Sequence, residues 1–243
     1  MNIVEAYIKF NGELIILISG LSGSGKTKIA KNIERDFKIS MIDAEMYCKK
    51  DFNKKVELPG GNEVIDWDDI ESFDWQTINK LANDSKSKGI VICAPYFTTD
   101  VLTILPSFHV HIKIQKQSLI EARKIYVEEN KEKCKDFGGL EGVIVNQITY
   151  PHYLEYLKTS KIDKFINSKD MTLDQIYDET TNFLFFKIEQ YLEEYNKKIV
   201  GNKRSEKDES SDSLGSTSEK SIDSDEEVFL GTQYDENLEK NYY

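Results

Sequence analysis

Proline and cysteine are scarce in this chain: four prolines and three cysteines in 243 residues. Cys48, Cys93 and Cys134 stand far apart with no CxxC pair. That excludes a cysteine-built zinc module or disulfide scaffold and fits reduced thiols in the cytoplasm, with the nucleus left open. Long apolar runs are missing too. Nothing approaches the roughly 18 residues that a membrane span needs. Residues 1–10 carry Glu5 and Lys9 among their apolar positions without a basic lead-in, so neither a membrane partner nor a signal peptide is expected. Positive charge is also in short supply. Lysine and arginine total 32 against 43 aspartates and glutamates, a net charge of −11, which argues against a nucleic-acid-binding surface. A small phosphate site remains compatible with this balance, because loop amides and a single lysine can build one inside an acidic protein.

What is present divides the chain in two. Apolar residues make up 39% of the sequence, low for a wholly globular chain, and the shortfall lies at the end. Residues 201–243 hold twelve acids, five bases and many serines, with Val228, Phe229 and Leu230 as their compact apolar spot. Such a segment cannot bury enough surface to offset its ordering entropy, and it reads as a disordered acidic tail behind a folded domain spanning 1–200. Ser205, Ser216 and Ser224 each precede an acid by three residues. That pattern suits phosphorylation by acid-directed kinases; a purely solubilising tail explains the composition equally well.

Within 1–200 the pattern alternates. Leu14 to Ile18 is a continuous apolar run, as a parallel strand buried on both faces requires. Before it, Tyr7 to Phe10 followed by Asn11-Gly12 predicts a hairpin. Helical spacing follows from Lys26 to Phe37, a short strand at 40–42, a helix at 72–88, strands at 89–93 and 109–115, and a helix from 118 to about 133. Phe137-Gly138-Gly139 breaks the pattern and opens a segment that reads as mobile. Thr172 and Gln175 form a capping box that opens a last helix, ending near Lys198. Strand–helix alternation of this kind predicts an α/β three-layer sandwich around a central parallel sheet.

One spacing carries chemistry. Gly20-Leu21-Ser22-Gly23-Ser24-Gly25-Lys26-Thr27 follows an apolar strand and opens an amphipathic helix. This is the context in which a P-loop binds nucleotide phosphates: glycines let the backbone aim its amides, and the helix N-terminus adds positive field. Lys26 would reach the β- and γ-phosphates of ATP, and the Thr27 hydroxyl would ligate Mg²⁺.

Two further segments suggest which P-loop protein this is. Asp66-Trp67-Asp68-Asp69-Ile70-Glu71-Ser72-Phe73-Asp74-Trp75 resembles the substrate segment of the uridine kinase family, most closely that of nicotinamide riboside kinases. Tyr150-Pro151-His152-Tyr153-Leu154-Glu155-Tyr156 is similar to the segment after the lid in the same kinases, and the order of motifs spans roughly 13–196. The resemblance implies transfer of the ATP γ-phosphoryl group to the 5′-hydroxyl of a small ribonucleoside: nicotinamide riboside first, as a step in NAD biosynthesis, with uridine or cytidine next. Asp68 then matches the ribose-binding aspartate and Trp67 an aromatic against the base. The purely local reading of the pair is a helix N-cap and its staple. The family's catalytic aspartate aligns with Glu45, one side-chain alternation from Asp43, and either carboxylate could take the hydroxyl proton. Tyr47 belongs to the aromatics that follow it. On the lid helix, Arg123 is the candidate for stabilising the transferring group. Lys124, Lys131, Lys133 and Lys135 read as ordinary solvated charges. Phe165 to Ser168 would be the last strand and the loop beside adenine.

Two departures stand out. Where these kinases carry an acid after the third strand's apolar run, this chain has Cys93-Ala94-Pro95, and the lid helix is poor in arginine. The alternative to an enzyme is therefore a catalytically weakened nucleotide-binding module that works through partners. His109, His111 and His152 are scattered and read as structural.

Overall fold

In a computed structural model, which describes residues 2–129 and 139–209, the expected sheet is present. Five strands, β1 (Ile15–Ser19), β2 (Ser40–Asp43), β5 (Ile90–Ala94), β6 (Phe108–Lys113) and β7 (Lys164–Asn167), form one sheet in the order β2-β5-β1-β6-β7. All four pairings are parallel. A separate antiparallel pair, β3 (Lys55–Glu57) and β4 (Glu63–Ile65), stands outside it. The unbroken apolar run of β1 is explained by its central place, every residue from Ile15 to Ser19 being buried. The sheet is flanked by helices. Ile15, Leu17, Ile42, Ile90 and Ile92 pack with Trp75, Ile78 and Ala82 of α3 (Trp75–Ser85). The helix α2 (Lys26–Phe37) lies along β1, β2 and β5 and buries Ile29, Ala30 and Ile33.

The start of the chain corrects one expectation. Instead of a hairpin, residues Ile3–Asn11 form helix α1. Asn2 and Glu5 make a reciprocal capping box at its N-terminus, and Gly12, at φ 85°, closes its C-terminus. The Asn-Gly pair that suggests a two-residue turn is here a helix C-terminus, a use of left-handed glycine at least as common.

Helix α4 (Lys116–Glu129) ends where the described residues break off, so Lys131, Lys133, Lys135, Cys134 and the first two residues of the expected mobile segment, Phe137 and Gly138, lie outside them; from Glu141 that segment is helical instead. Beyond the gap, α5 (Glu141–Ile144) runs through a π-type turn at Val145–Thr149 into α6 (Tyr150–Thr159). The last helix, α7 (Leu173–Glu209), opens on the expected Thr172/Gln175 box, with both reciprocal bonds formed. The chain divides into two compact units, Met1–Phe186 and Lys187–Tyr243. The sheet and the sites described below belong to the first. The change of composition at 200/201 falls inside α7, and the rest of the acidic tail, 210–243, lies outside the described residues. Among the described residues, no helix is long and apolar enough to cross a membrane.

Candidate functional site

The glycine-rich loop, the Asp43/Glu45 pair and Cys93 gather at the C-terminal ends of β1, β2 and β5, where open α/β sheets place ligands. Between β1 and α2 the chain turns through Gly20–Gly25. Gly25 caps α2 at φ 86°, a region that L side chains rarely adopt. A Cβ on Gly20 would lie 2.6 Å from the backbone oxygen of Ile112 on the neighbouring strand. Leu21 is buried against Tyr96, Leu119, Val145 and Tyr153, which anchors the loop from the side.

The loop borders a cleft of about 590 Å³. It is lined by Ser22 to Lys28, by Glu45, Ile114, Gln115 and Ser118, and by Ser168 to Met171 with Leu173 and Ile176. Of the expected last strand and following loop, Phe165 to Ser168, only Ser168 lines this cleft. Lys26 is only 5% exposed, and its Nζ lies 2.6 Å from Oε1 of Glu45, which is 46% exposed. The structure therefore brings together Lys26 and one of the two carboxylates considered as a base. The other, Asp43, serves the local backbone. Its Oδ1 accepts from the Glu45 amide at 3.1 Å and caps the turn that carries Glu45. Tyr47 packs partly buried against the sheet–α3 core and does not line the cleft.

The residues present fit a magnesium nucleotide. The Ser24 hydroxyl is buried with no hydrogen-bond partner, a polar atom of the kind that a phosphate oxygen satisfies. Thr27 Oγ1 has Cys93 Sγ beside it at 4.0 Å. Burial pushes the Cys93 thiol up to about 12, with Asp43 adding to the effect, so the position that could have held an acid is neutral. Asp43 is the strand-register partner of Cys93, which leaves a carboxylate one strand away.

A second group assembles beside α4 and α6. Asp68 is not a helix cap: Asp69 caps the 3-10 turn at Ile70–Ser72, and Asp74 caps α3. Its carboxylate is held instead by three tertiary contacts. Arg123 Nη2 donates to Oδ1 at 2.5 Å and to Oδ2 at 2.7 Å, and the Thr149 hydroxyl donates to Oδ2 at 2.7 Å. Trp67, 40% exposed, has the Phe52 ring 5.7 Å away. Arg123 follows directly on Ala122, whose Cβ would meet a Cβ on Gly23 at 2.5 Å. Helix α4 therefore touches the phosphate loop with one residue and Asp68 with the next.

Sequence reasoning missed Thr149 and the surroundings of Asp66. Thr149 is presented by the π-type turn, whose extra residue has no signature in a pattern of apolar positions. His152 Nε2 meets Asp66 Oδ2 at 2.7 Å, and this hydrogen bond raises the pKa of the ring against the opposing effect of burial. Tyr156, stacked on His152, accepts the Ile70 amide at its hydroxyl oxygen.

The other two histidines do have the expected structural role, and their protonation pattern follows from their partners. His109 Nδ1 faces the Lys161 carbonyl at 2.6 Å and must donate to it. Its Nε2 then accepts from the Ser19 hydroxyl at 2.7 Å. Ser19 Oγ in turn accepts from His111 Nδ1 at 2.7 Å, which leaves His111 Nε2 to accept from the Tyr153 hydroxyl at 3.0 Å. The chain runs one way with both rings neutral. Burial depresses both histidines to about 4.

No family model and no curated protein matches this sequence. Solved structures do resemble the fold. A candidate fructose transport system kinase from Silicibacter sp. is 10% identical with a TM-score of 0.46, over 68% of this chain and 99% of that one. The YorR protein of Bacillus subtilis, solved in complex with phosphorylated GDP, is 15% identical at 0.41, over 70% and 95%. A candidate kinase from Chloroflexus aurantiacus is 9% identical at 0.40, over 70% and 98%. Likenesses this distant say nothing about substrate, for which the cleft itself is the guide.

Proposed function

We propose that this chain is a P-loop phosphotransferase that moves the γ-phosphoryl group of ATP, with Mg²⁺, to the 5′-hydroxyl of a ribonucleoside. Nicotinamide riboside is the leading acceptor, with uridine or cytidine next. The observation that carries the reading is the Lys26–Glu45 contact at the mouth of the phosphate loop, 2.6 Å. It sets a cation for the phosphates beside a half-exposed carboxylate.

Nucleotide phosphates would draw Lys26 away from Glu45 and free that carboxylate. Glu45 would then take the proton as the acceptor O–H breaks, the new O–P bond forms, and the bond from the γ-phosphorus to the ADP oxygen breaks. Thr27 would hold the magnesium ion, which supplies charge neutralisation when bound. Arg123, one residue from the contact with the loop, would serve the charge on the transferring group. Asp68 would hold the ribose diol, for which a carboxylate can accept two hydroxyls at once. That carboxylate is kept in place by Arg123 and Thr149. The indole of Trp67 would lie against the base, where a pyridinium adds cation–π attraction.

The deciding experiment is ADP release across a panel of nucleosides that includes nicotinamide riboside. Release that depends on one ribonucleoside supports the reading, and nucleotide binding without release for any acceptor defeats it. That second result would favour a nucleotide-responsive module acting through partners, for which the neutral Cys93 is the motive.

A further inference from the structure

Asp66 and Asp69 flank Trp67 and Asp68 on a tight turn in which the Asp69 amide donates to the Asp66 carbonyl at 3.1 Å. Both carboxylates are buried, with their residues 2% and 3% exposed. His152 reaches them from α6, and one ligand-type atom from each of the three lies within 4.8 Å of the others. Asp66 spends Oδ2 on His152, while its Oδ1 is buried with no hydrogen-bond partner. Buried carboxylate oxygens are almost always bonded, so a bare one beside a second buried aspartate and an imidazole asks for a cation.

We propose that Asp66, Asp69 and His152 form a site for a divalent transition-metal ion of the Zn²⁺ class. One imidazole nitrogen with two carboxylates is a donor set for Zn²⁺, Co²⁺ or Mn²⁺, whereas Mg²⁺ prefers oxygen ligands and retained water. Two carboxylate charges would meet the charge of the ion. Lys54 partly balances them, its Nζ 2.5 Å from Asp69 Oδ2. The Lys54 side chain is 52% exposed and can swing into water to yield that oxygen, while Asp69 Oδ1 stays oriented by the Glu71 amide at 2.7 Å. His152, 28% exposed, gives the ion its way in. Its Nε2 would exchange the bond to Asp66 for a bond to the metal. Bound there, the ion ties the turn that carries Trp67 and Asp68 to α6. None of this depends on the chain being a kinase.

The test uses the full chain, freed of metal with a chelator and titrated with Zn²⁺ by calorimetry and with Co²⁺ by absorption. One equivalent of Zn²⁺ is expected, undisturbed by excess Mg²⁺. The Co²⁺ form should show d–d bands without a thiolate charge-transfer band, which sets the site apart from any cysteine. His152→Ala and Asp66→Asn should each weaken Zn²⁺ binding at least about 10-fold. Lys54→Met removes the competing ammonium and should tighten it, a gain that loss of folding cannot imitate. The proposal is overturned if the wild type binds no Zn²⁺, if a thiolate band appears, if both ligand variants bind as the wild type does, or if Lys54→Met weakens binding.

Discussion

The phosphate end of the molecule and its acidic end are built by opposite means. At the phosphate end the working groups are consecutive in sequence: the backbone of Gly20–Gly25, then Lys26 and Thr27 at the start of α2. At the acidic end, Asp68 is held by groups 55 and 81 residues away, and Asp66 by one 86 residues away. The first kind of site tolerates divergence elsewhere in the chain, because its geometry comes from a strand, a turn and a helix that follow one another. The second exists only when α4 and α6 are docked correctly. A buried chain of hydrogen bonds joins the two, from Ser19, the residue before the phosphate loop, through His111 to Tyr153 on α6.

Lys26→Ala should have the largest effect, since it removes the buried cation at the phosphate end. Truncating one partner of a buried charge pair costs binding about 2–5 kcal/mol, roughly thirtyfold or more. Nucleotide binding followed by calorimetry should fall accordingly while the fold, read by circular dichroism, stays intact. Nucleotide affinity equal to wild type would break the assignment of that end.

Acid should disconnect the two ends. His109 and His111 are held at about 4 when folded, against 6.5 for a free imidazole. Between these values the unfolded chain binds more protons, so stability is complete above about pH 6.5 and is lost as pH falls towards 4. Each ring contributes on the order of 3 kcal/mol to that loss. Urea unfolding at pH 7 and pH 5 should show the fall, and His111→Gln, which keeps a donor and an acceptor but cannot titrate, should show a clearly smaller one. An equal fall in the variant would mean that other groups control the acid limit.

Asp68→Asn sharpens the comparison from the other side. The side chain keeps one carbonyl acceptor and loses its charge, and a hydrogen bond to a charged group is worth roughly 1.5–3 kcal/mol. Acceptor kcat/KM should drop about 10- to 100-fold with nucleotide binding unchanged. The advantage of a ribonucleoside over its 2′-deoxy form should shrink with it. Nucleotide affinity that falls in parallel would show that the two ends are not separable.

Removing residues 210–243 should have the smallest effect, below about 0.5 kcal/mol, the size typical of surface changes. The expected result is an unchanged Tm and unchanged nucleotide binding. A fall of several degrees would show that this acidic segment, with its Val228-Phe229-Leu230 spot, contributes to the folded unit.

The sequence by itself determined the elements whose signals are local: the apolar run of β1, the phosphate loop, and the Thr172/Gln175 capping box. Each is written within a few residues and obeys backbone sterics and helix-end hydrogen bonding alone. Through a family resemblance it also offered Glu45 and Asp43 as candidate bases. Local signals misled where one motif has two uses, as with Asn11-Gly12, which ends a helix and does not turn a hairpin. Tertiary structure alone decided that Glu45 meets Lys26 while Asp43 caps its turn, that Asp68 is gripped by Arg123 and Thr149 and caps nothing, and that His152 joins Asp66 and Asp69. The physical reason is that a side-chain charge or hydroxyl finds its partner through the docking of whole helices on the sheet, and the apolar pattern that drives docking carries no record of which polar groups will meet.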